Sequence, residues 1–182
     1  MIIAGIDYSM TCPCITVFRG NEWNMNDCSI HFLTTSKKLV INEKKLKSVL
    51  IPKWNQPSER YEFISDWALN LVKDSSLVTL EGYAFAGNGR VFEIAENAGL
   101  LKYKMWKNNI LFQTIPPSKI KKYAVGKGNA DKNMMYDKFV EETKVDYKSL
   151  FAFKKQKIDS PLSDIADSYW ICKYGSEFPN DK

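Results

Sequence analysis

Short apolar segments that alternate with helical stretches are the feature of this chain that most constrains its fold. The segment Leu77–Glu81 has the length and composition of a buried strand. Apolar residues at helical spacing precede it over residues 57–73 and follow it over Val91–Lys107. Strands joined by a crossover helix pair in parallel within one sheet. The pattern therefore predicts a sheet with helices packed on its faces.

The remaining segments extend this order. Further strands are predicted over Ile2–Asp7, Cys14–Arg19, Cys28–Thr34 and residues 110–115, and further helices from residue 118, over 129–144 and from 161–163 onward. Residues 35–55 carry six lysines and no clear period, which indicates a solvated loop or an irregular strand. We therefore expect an α/β protein with one domain over residues 1–182, built on a mixed five-stranded sheet flanked by helices.

Composition supports one core and excludes several classes of protein. The chain is 45% hydrophobic, but no window approaches the roughly 20 consecutive apolar residues of a membrane helix. We therefore expect a cytoplasmic protein without a membrane partner. The four cysteines form no paired CxxC motif and His31 is the single histidine, so reduced, buried thiols are expected rather than a zinc site. The formal charge of +5 permits a polyanionic partner.

Four acids stand where predicted elements end or begin. Asp7 and Glu81 each close an apolar strand, and Asp164 and Asp167 are three residues apart near the start of the last helix, on one face. If that helix packs beside the first strand, the four carboxylates converge. Converging anions are costly unless cations offset them, and Mg²⁺ prefers carboxylate oxygen. Two such ions can support hydrolysis of a phosphodiester. Taken singly, each acid is also explained as a turn residue, a solvated strand end or a helix-dipole partner.

Several motifs of the chain, read in order, resemble those of the RuvC family of Holliday-junction resolvases. They are Gly5-Ile6-Asp7, Leu80-Glu81-Gly82, the stretch from Val125 through Gly126-Lys127-Gly128 to Lys132, and Ser163-Asp164-Ile165-Ala166-Asp167. The resemblance spans nearly the whole chain. It implies a ribonuclease H-like fold and a structure-selective DNA endonuclease that acts on four-way junctions as a homodimer. The shortness and the lysine content would suit a phage-encoded enzyme in a prokaryotic or phage-infected cell.

The resemblance also implies roles for individual residues. The metal-binding carboxylates would be Asp7, Glu81, Asp164 and Asp167, holding two Mg²⁺ ions that Mn²⁺ can replace, and the family's basic catalytic residues would fall on Lys121 and Lys132. Three departures stand out. Ser168 replaces the usual alanine after the acid pair, no histidine lies near that pair, and the position of the junction-inserting phenylalanine is Ala84.

Basic and aromatic residues surround these acids in sequence. Lys121, Lys127 and Lys132 are predicted to contact the DNA backbone, with Asn129 capping the next helix; the alternative is a solvated basic turn. Tyr83 and Phe85 follow Glu81 and could stack on splayed bases or pack against the next helix or a partner subunit, and Arg90 is a candidate phosphate contact. The basic and aromatic residues of segment 148–157 could line a DNA groove, or Phe151 and Phe153 could return to the core.

Three other possibilities stay open at this point. The same site could cut flaps or forks, the fold could be a catalytically silent nucleic-acid-binding module, or Gly-Ile-Asp could mark a sugar-kinase-like ATPase, for whose second lobe the chain is short.

Two symmetric nicks require two sites related by a two-fold axis, so a homodimer is expected. Its interface is predicted on helix Val91–Lys107, with Leu100, Leu101, Tyr103 and Trp106 as candidates unless core packing claims them.

Overall fold

A six-stranded mixed sheet forms the centre of the computed structural model, which describes residues 1–82 and 91–179. Its strands are β1 (Ile2–Asp7), β2 (Cys14–Arg19), β3 (Cys28–Thr34), β4 (Leu46–Leu50), β5 (Leu77–Glu81) and β6 (Phe112–Ile115). They are arranged in the order β4-β3-β2-β1-β5-β6. β1, β2 and β3 form an antiparallel meander, whereas β5 and β6 continue in parallel from β1.

The sixth strand corrects the prediction of a five-stranded sheet. β4 lies within the lysine-rich stretch that was expected to be a loop or an irregular strand, and it pairs in parallel with β3 from Ile30–Leu46 to Thr34–Leu50. Leu46 and Ser48 are buried, whereas Lys47 and Val49 are exposed. Only half of this short edge strand faces the core, so its apolar signal is weak. The predicted fold class is confirmed, with one strand more than expected.

Within the described residues, five α-helices cover the two faces of the sheet. They are α1 (Pro57–Val72), α2 (Val91–Lys107), α3 (Pro117–Val125), α4 (Lys132–Thr143) and α5 (Leu162–Glu177). The core on one face joins α1 and α2 to the sheet through residues such as Ile64 and Leu101. The core on the other face joins α3, α4 and α5 through residues such as Ile120, Tyr136 and Trp170. In the described part of the chain, none of the helices has the length and hydropathy to cross a bilayer.

Two glycines allow α5 to lie directly on the sheet. A Cβ atom at Gly5 would stand 2.1 Å from the backbone nitrogen of Cys172, and one at Gly175 would stand 2.1 Å from Thr79 Oγ1 and 3.6 Å from a methyl group of Ile3. As β1 advances from Ile3 to Gly5, its partner position on α5 moves back from Gly175 to Cys172. The helix therefore runs antiparallel to β1, and its first turns overlie the end of the strand at Asp7.

Candidate active site

Asp7 and Glu81 end two neighbouring parallel strands. The register of β1 and β5 pairs Ile6 with Leu80, so the two acids that follow emerge side by side at the same edge of the sheet. The strands themselves are buried up to these positions. Because β1 and β5 are parallel neighbours, their carboxyl ends lie at the same edge of the sheet.

Asp164 and Asp167 reach the same edge from α5. Both lie in the first two turns of the helix, whose direction places its start above Asp7. Ser168 fixes this position, because its hydroxyl lies 2.9 Å from Thr16 Oγ1 and donates to Cys14 Sγ at 3.2 Å. Cys14 is the residue that pairs with Asp7 across β1 and β2. The helix is thus held to the sheet directly beside the acids.

The four carboxyl groups are close enough to alter one another's protonation. Burial raises the pKa of Asp7 well above its usual range, and the charges of Asp164, Glu81 and Asp167 raise it further. Burial also raises the pKa of Asp167 to about 8, with additional contributions from Glu81 and Asp164. The pKa values of Glu81 and Asp164 are likewise raised, chiefly by burial. The structure therefore brings all four predicted acids into one electrostatic cluster.

Two of the predicted lysines stand on opposite sides of this cluster. Lys121, on α3, lowers the pKa of Glu81 and opposes the rise at Asp167. Lys132, at the start of α4, acts in the same direction on Asp7, Asp164 and Asp167. Each lysine therefore places positive charge at the edge where the acids meet.

The turn between α3 and α4 differs from the prediction in its helix cap. Gly126 ends α3 in the left-handed region at φ 81°, and Lys127 is exposed in the turn that follows. α4 begins at Lys132, not at Asn129, because Asp131 caps it: its Oδ1 atom accepts a hydrogen bond of 2.9 Å from the Met134 amide. The prediction that Asn129 is the cap was wrong, and the contact of Lys127 with DNA stays a prediction.

The cluster has the chemistry of a site for a hard divalent cation. Asp164 Oδ2 is buried and has no hydrogen-bond partner, whereas the neighbouring Ser160 and Cys12 side chains lower the pKa of the same carboxyl group. A buried carboxylate oxygen without a donor is costly unless a cation approaches it. No group of three acidic, thiol or imidazole side chains in residues 1–82 and 91–179 is arranged as a ready-made metal cage. Mg²⁺ commonly binds through only one or two carboxylates, while water and substrate phosphate complete its coordination shell. These four acids can supply the carboxylates.

Two groups that support the site were missed in the sequence. Cys12 and Ser160 lie beside Asp164 and lower its pKa, yet the cysteine was interpreted only as a buried thiol and the serine was not considered. All four cysteines are free and buried, as predicted. His31 lies in β3, where its Nε2 atom is 3.1 Å from Ser29 Oγ, and burial lowers its pKa to about 4. Cys12 is distant from Asp164 in sequence and meets it only through the tertiary fold, whereas Ser160 precedes Asp164 by four residues but belongs to no recognisable motif.

Several predicted residues lie elsewhere or outside the described part of the chain. Tyr83, Phe85 and Arg90, with Ala84, lie outside the described residues, so their roles stay predictions. On α2, Leu101 is fully buried in the core and is therefore not an interface candidate, and Leu100 is half-buried. Tyr103 and Trp106 are 54% and 68% exposed with ring centroids 5.9 Å apart, and Phe92, which was not predicted, is 80% exposed.

Comparison with solved structures identifies the fold. RuvC of Thermus thermophilus superposes with a TM-score of 0.61 at 14% identity, over 100% of this chain and 99% of that one. The chain has the fold of RuvC. The same protein in complex with a Holliday junction substrate gives a TM-score of 0.61 at 15% identity, over 100% and 98% of the two chains. A complex of the fowlpox virus resolvase with substrate Holliday junction DNA gives 0.52 at 20% identity, over 100% of both chains.

The likeness to RuvC is one of structure rather than of sequence. No protein-family model matches the chain, and no curated protein sequence does. The recognisable motifs lie at the ends of β1 and β5, in the turn between α3 and α4, and at the start of α5. An apolar core can be filled by many different side chains, so a shared fold does not require a similar sequence elsewhere.

Proposed function

We propose that this protein is a metal-dependent DNA endonuclease that resolves four-way junctions. The observation that carries the proposal is the cluster of Asp7, Glu81, Asp164 and Asp167 at one edge of the sheet, in which burial and the neighbouring acids raise the pKa values of Asp7 and Asp167. Four mutually repelling acids destabilise the folded protein unless bound cations offset their charge. Support also comes from the fold, which this chain shares with resolvases solved together with junction DNA.

The residues of the cluster have separable roles in this proposal. The four carboxylates would hold Mg²⁺ or Mn²⁺, and a bound pair of such ions supplies activation of a water molecule and stabilisation of the leaving oxygen. Lys121 and Lys132 bind the phosphate and offset its negative charge, since both already act on the acids electrostatically. Cys12 and Ser160 lower the pKa of Asp164 and so favour its charged form, while its Oδ2 atom has no protein donor.

A homodimer completes the proposal. Two opposed nicks in a junction need two copies of the site related by a two-fold axis. The exposed aromatic residues of α2 are Phe92, Tyr103 and Trp106. Tyr103 and Trp106 follow Phe92 by eleven and fourteen residues, which places all three on one face of the helix, and Gly99, seven residues after Phe92, is exposed between them. An aromatic helix face of this kind suits a partner helix.

The test is nicking of a synthetic four-way junction by the wild type and by Asp7→Asn, in Mg²⁺ and in EDTA. We expect metal-dependent nicking by the wild type, a loss of at least 100-fold in the variant, on the scale of removing a principal catalytic group, and junction binding that is largely retained. Asp137→Asn is the matched control, because Asp137 is an exposed acid on α4. Nicking by Asp7→Asn at the wild-type rate would refute the metal assignment.

Two further substrates separate the proposal from its alternatives. A Y-fork and a linear duplex of the same sequence are offered beside the junction. Preference for the fork would identify a flap or fork nuclease, and equal cutting of all three would exclude structure selection. Junction binding without nicking in any divalent metal would identify a silent binding module.

A further inference from the structure

The basic segment that precedes α5 is held in place by its aromatic residues. Phe151 packs against Phe32 with ring centroids 5.9 Å apart, and Phe153 also packs on the core of α3, α4 and α5. The backbone closes a turn here, with the Phe153 amide donating to the Lys148 carbonyl at 2.8 Å. The expectation that these rings return to the core is therefore met. Because the rings point inward, the lysines of the same segment are left at the surface.

Asn133 fastens the end of this segment to the start of α4. Its Nδ2 atom donates to the Gln156 carbonyl at 3.2 Å, and its Oδ1 atom accepts from the Ile158 amide at 2.7 Å. Ile158 itself is buried. Lys155 and Lys157 are thereby held beside Lys132, which is the neighbour of Asn133 in sequence.

These three lysines surround a surface cavity. The cavity has a volume of about 270 Å³ and is lined by Lys132, Lys155, Lys157, Ile158 and Asp159. Asp159 Oδ1 lies 3.6 Å from Lys132 Nζ, and Asp159 Oδ2 lies 3.7 Å from Lys155 Nζ. These ion pairs are long, and all three side chains are at least half exposed, so the pairs hold the ammonium groups only weakly. Three cations around one anion leave the cavity with a net positive charge.

We propose that this cavity binds a backbone phosphate of the DNA strand next to the phosphate that is cut. The proposal rests on the proposed function and adds a site to it. Lys132 indicates which anion binds there, because the same side chain lines the cavity and opposes the rise in the pKa values of Asp7, Asp164 and Asp167. An anion in the cavity is therefore a neighbour of whatever lies over the acids. A strand carries a row of such anions, so that phosphates of one strand can occupy both places.

The ordered backbone that carries Lys155 and Lys157 distinguishes this cavity from a run of lysines on a free loop. Side chains on a free loop would lose conformational entropy on binding, whereas the Phe151 packing and the Asn133 hydrogen bonds have ordered this backbone already. Asp159 has the opposite effect on an anion. Its carboxylate competes with the phosphate for Lys132 and Lys155, so the cavity binds DNA less tightly than its lysines alone would allow.

The experiment measures junction binding as a function of salt, in EDTA so that no strand is cut. The Lys155→Gln/Lys157→Gln double variant is expected to bind more weakly, and its slope of log K against log salt to be shallower by about one or two, since each lost phosphate contact removes about 0.9. The control is Lys44→Gln/Lys73→Gln, which removes the same charge from exposed lysines before β4 and β5, at the opposite edge of the sheet. Equal slopes for the two double variants would overturn the proposal.

Two single variants test the cavity independently of total lysine charge. Asp159→Asn keeps an oxygen that can accept the Ser160 amide bond of 2.9 Å but removes the competing carboxylate, so junction binding should tighten severalfold. Asn133→Ala changes no charge but frees the segment, so binding should weaken. Unchanged or weaker binding by Asp159→Asn would overturn the proposal, as would unchanged binding by Asn133→Ala in a protein that melts like the wild type.

The wild type separates this proposal from the proposed function. If the wild type nicks junctions in Mg²⁺ and the double variant matches its control, only the phosphate cavity is wrong. If the wild type neither binds nor nicks junction DNA, both proposals fail together.

Discussion

Replacing Asp167 by Asn should make the stability of the metal-free protein much less dependent on pH. Burial, with Glu81 and Asp164, raises the pKa of Asp167 to about 8, so the folded protein holds a proton there that the unfolded chain has lost above pH 4. A raised carboxyl pKa means that the folded state is favoured at low pH. Wild-type stability should therefore fall as the pH rises from about 4 through about 8. Asparagine cannot ionise, so the variant lacks this contribution to the fall.

The expected difference follows from the size of that pKa change. The interval from the ordinary value of 3.8 to about 8 corresponds to roughly 6 kcal/mol as an upper limit, at about 1.36 kcal/mol per pH unit. Asp167 is partly exposed and shares its repulsion with other acids, so we expect about half of this, on the order of 3 kcal/mol. Near pH 4 the variant and the wild type should be nearly equally stable. Above pH 8 the variant should be the more stable by that amount.

Urea denaturation in EDTA between pH 4.5 and 9 measures this difference directly. Asp159→Asn is the control: the Ser160 backbone amide lowers the pKa of Asp159, so its loss leaves the slope in this interval unchanged. Mg²⁺ should stabilise the wild type more at pH 8 than at pH 5, because protons and cations compete for the same carboxylates. Parallel stability curves for Asp167→Asn and the wild type would show that the acids do not form a repelling cluster.

Three further predictions follow from other parts of the fold. The Tyr103→Ser/Trp106→Ser variant should raise the dimer dissociation constant measured by sedimentation at least about 30-fold. Val40→Ser, at an exposed apolar site in the β3–β4 connection, should leave it unchanged. A monomeric wild type would refute the interface. Gly5→Ala should lower the free energy of unfolding by about 3 kcal/mol, because the added methyl group overlaps the Cys172 backbone. Gly99→Ala, with nothing within 4 Å of its added methyl group, should raise it by about 0.5–1 kcal/mol. Urea denaturation of the monomer measures both, and similar effects at the two glycines would contradict the packing. Asn97→Leu and Tyr8→Phe each break the buried hydrogen bond of 3.0 Å between Tyr8 and Asn97, so each should destabilise the protein by about 1–3 kcal/mol. In a double-mutant cycle the two effects should be coupled by about 1 kcal/mol, and strict additivity would refute a shared bond.

The parts of the fold that could be predicted are those in which one short segment carries its own signal. The strand Leu77–Glu81 has apolar residues at three of its five positions and lies between two helices, which indicated a buried strand of a parallel sheet. Since the carboxyl ends of parallel strands meet at one edge, the adjacency of Asp7 and Glu81 followed. The helices over residues 57–73 and 91–107 were predicted to within a residue, because each has a regular apolar face.

The parts that could not be predicted depend on partners that are distant in sequence. β4 is defined by its hydrogen bonds to β3. Lysines in and directly before this strand interrupt the apolar pattern, so the two residues that it buries could not be recognised in the sequence. Asp131 rather than Asn129 caps α4 because the chain makes one more turn there, with the Ala130 amide bonded to the Lys127 carbonyl at 3.2 Å. Either residue type suits a cap, so composition alone could not choose between them.

Ser168 shows how a departure from a family motif can be understood only in three dimensions. In sequence it replaces an alanine beside the acid pair, which raised the question of whether the site is intact. In the structure its hydroxyl bonds to Thr16 and Cys14 on β2 and to the Ile165 carbonyl within α5. Each of these partners is buried, so the added polar group is satisfied and costs little. The serine therefore helps to hold the helix that carries Asp164 and Asp167 against β2.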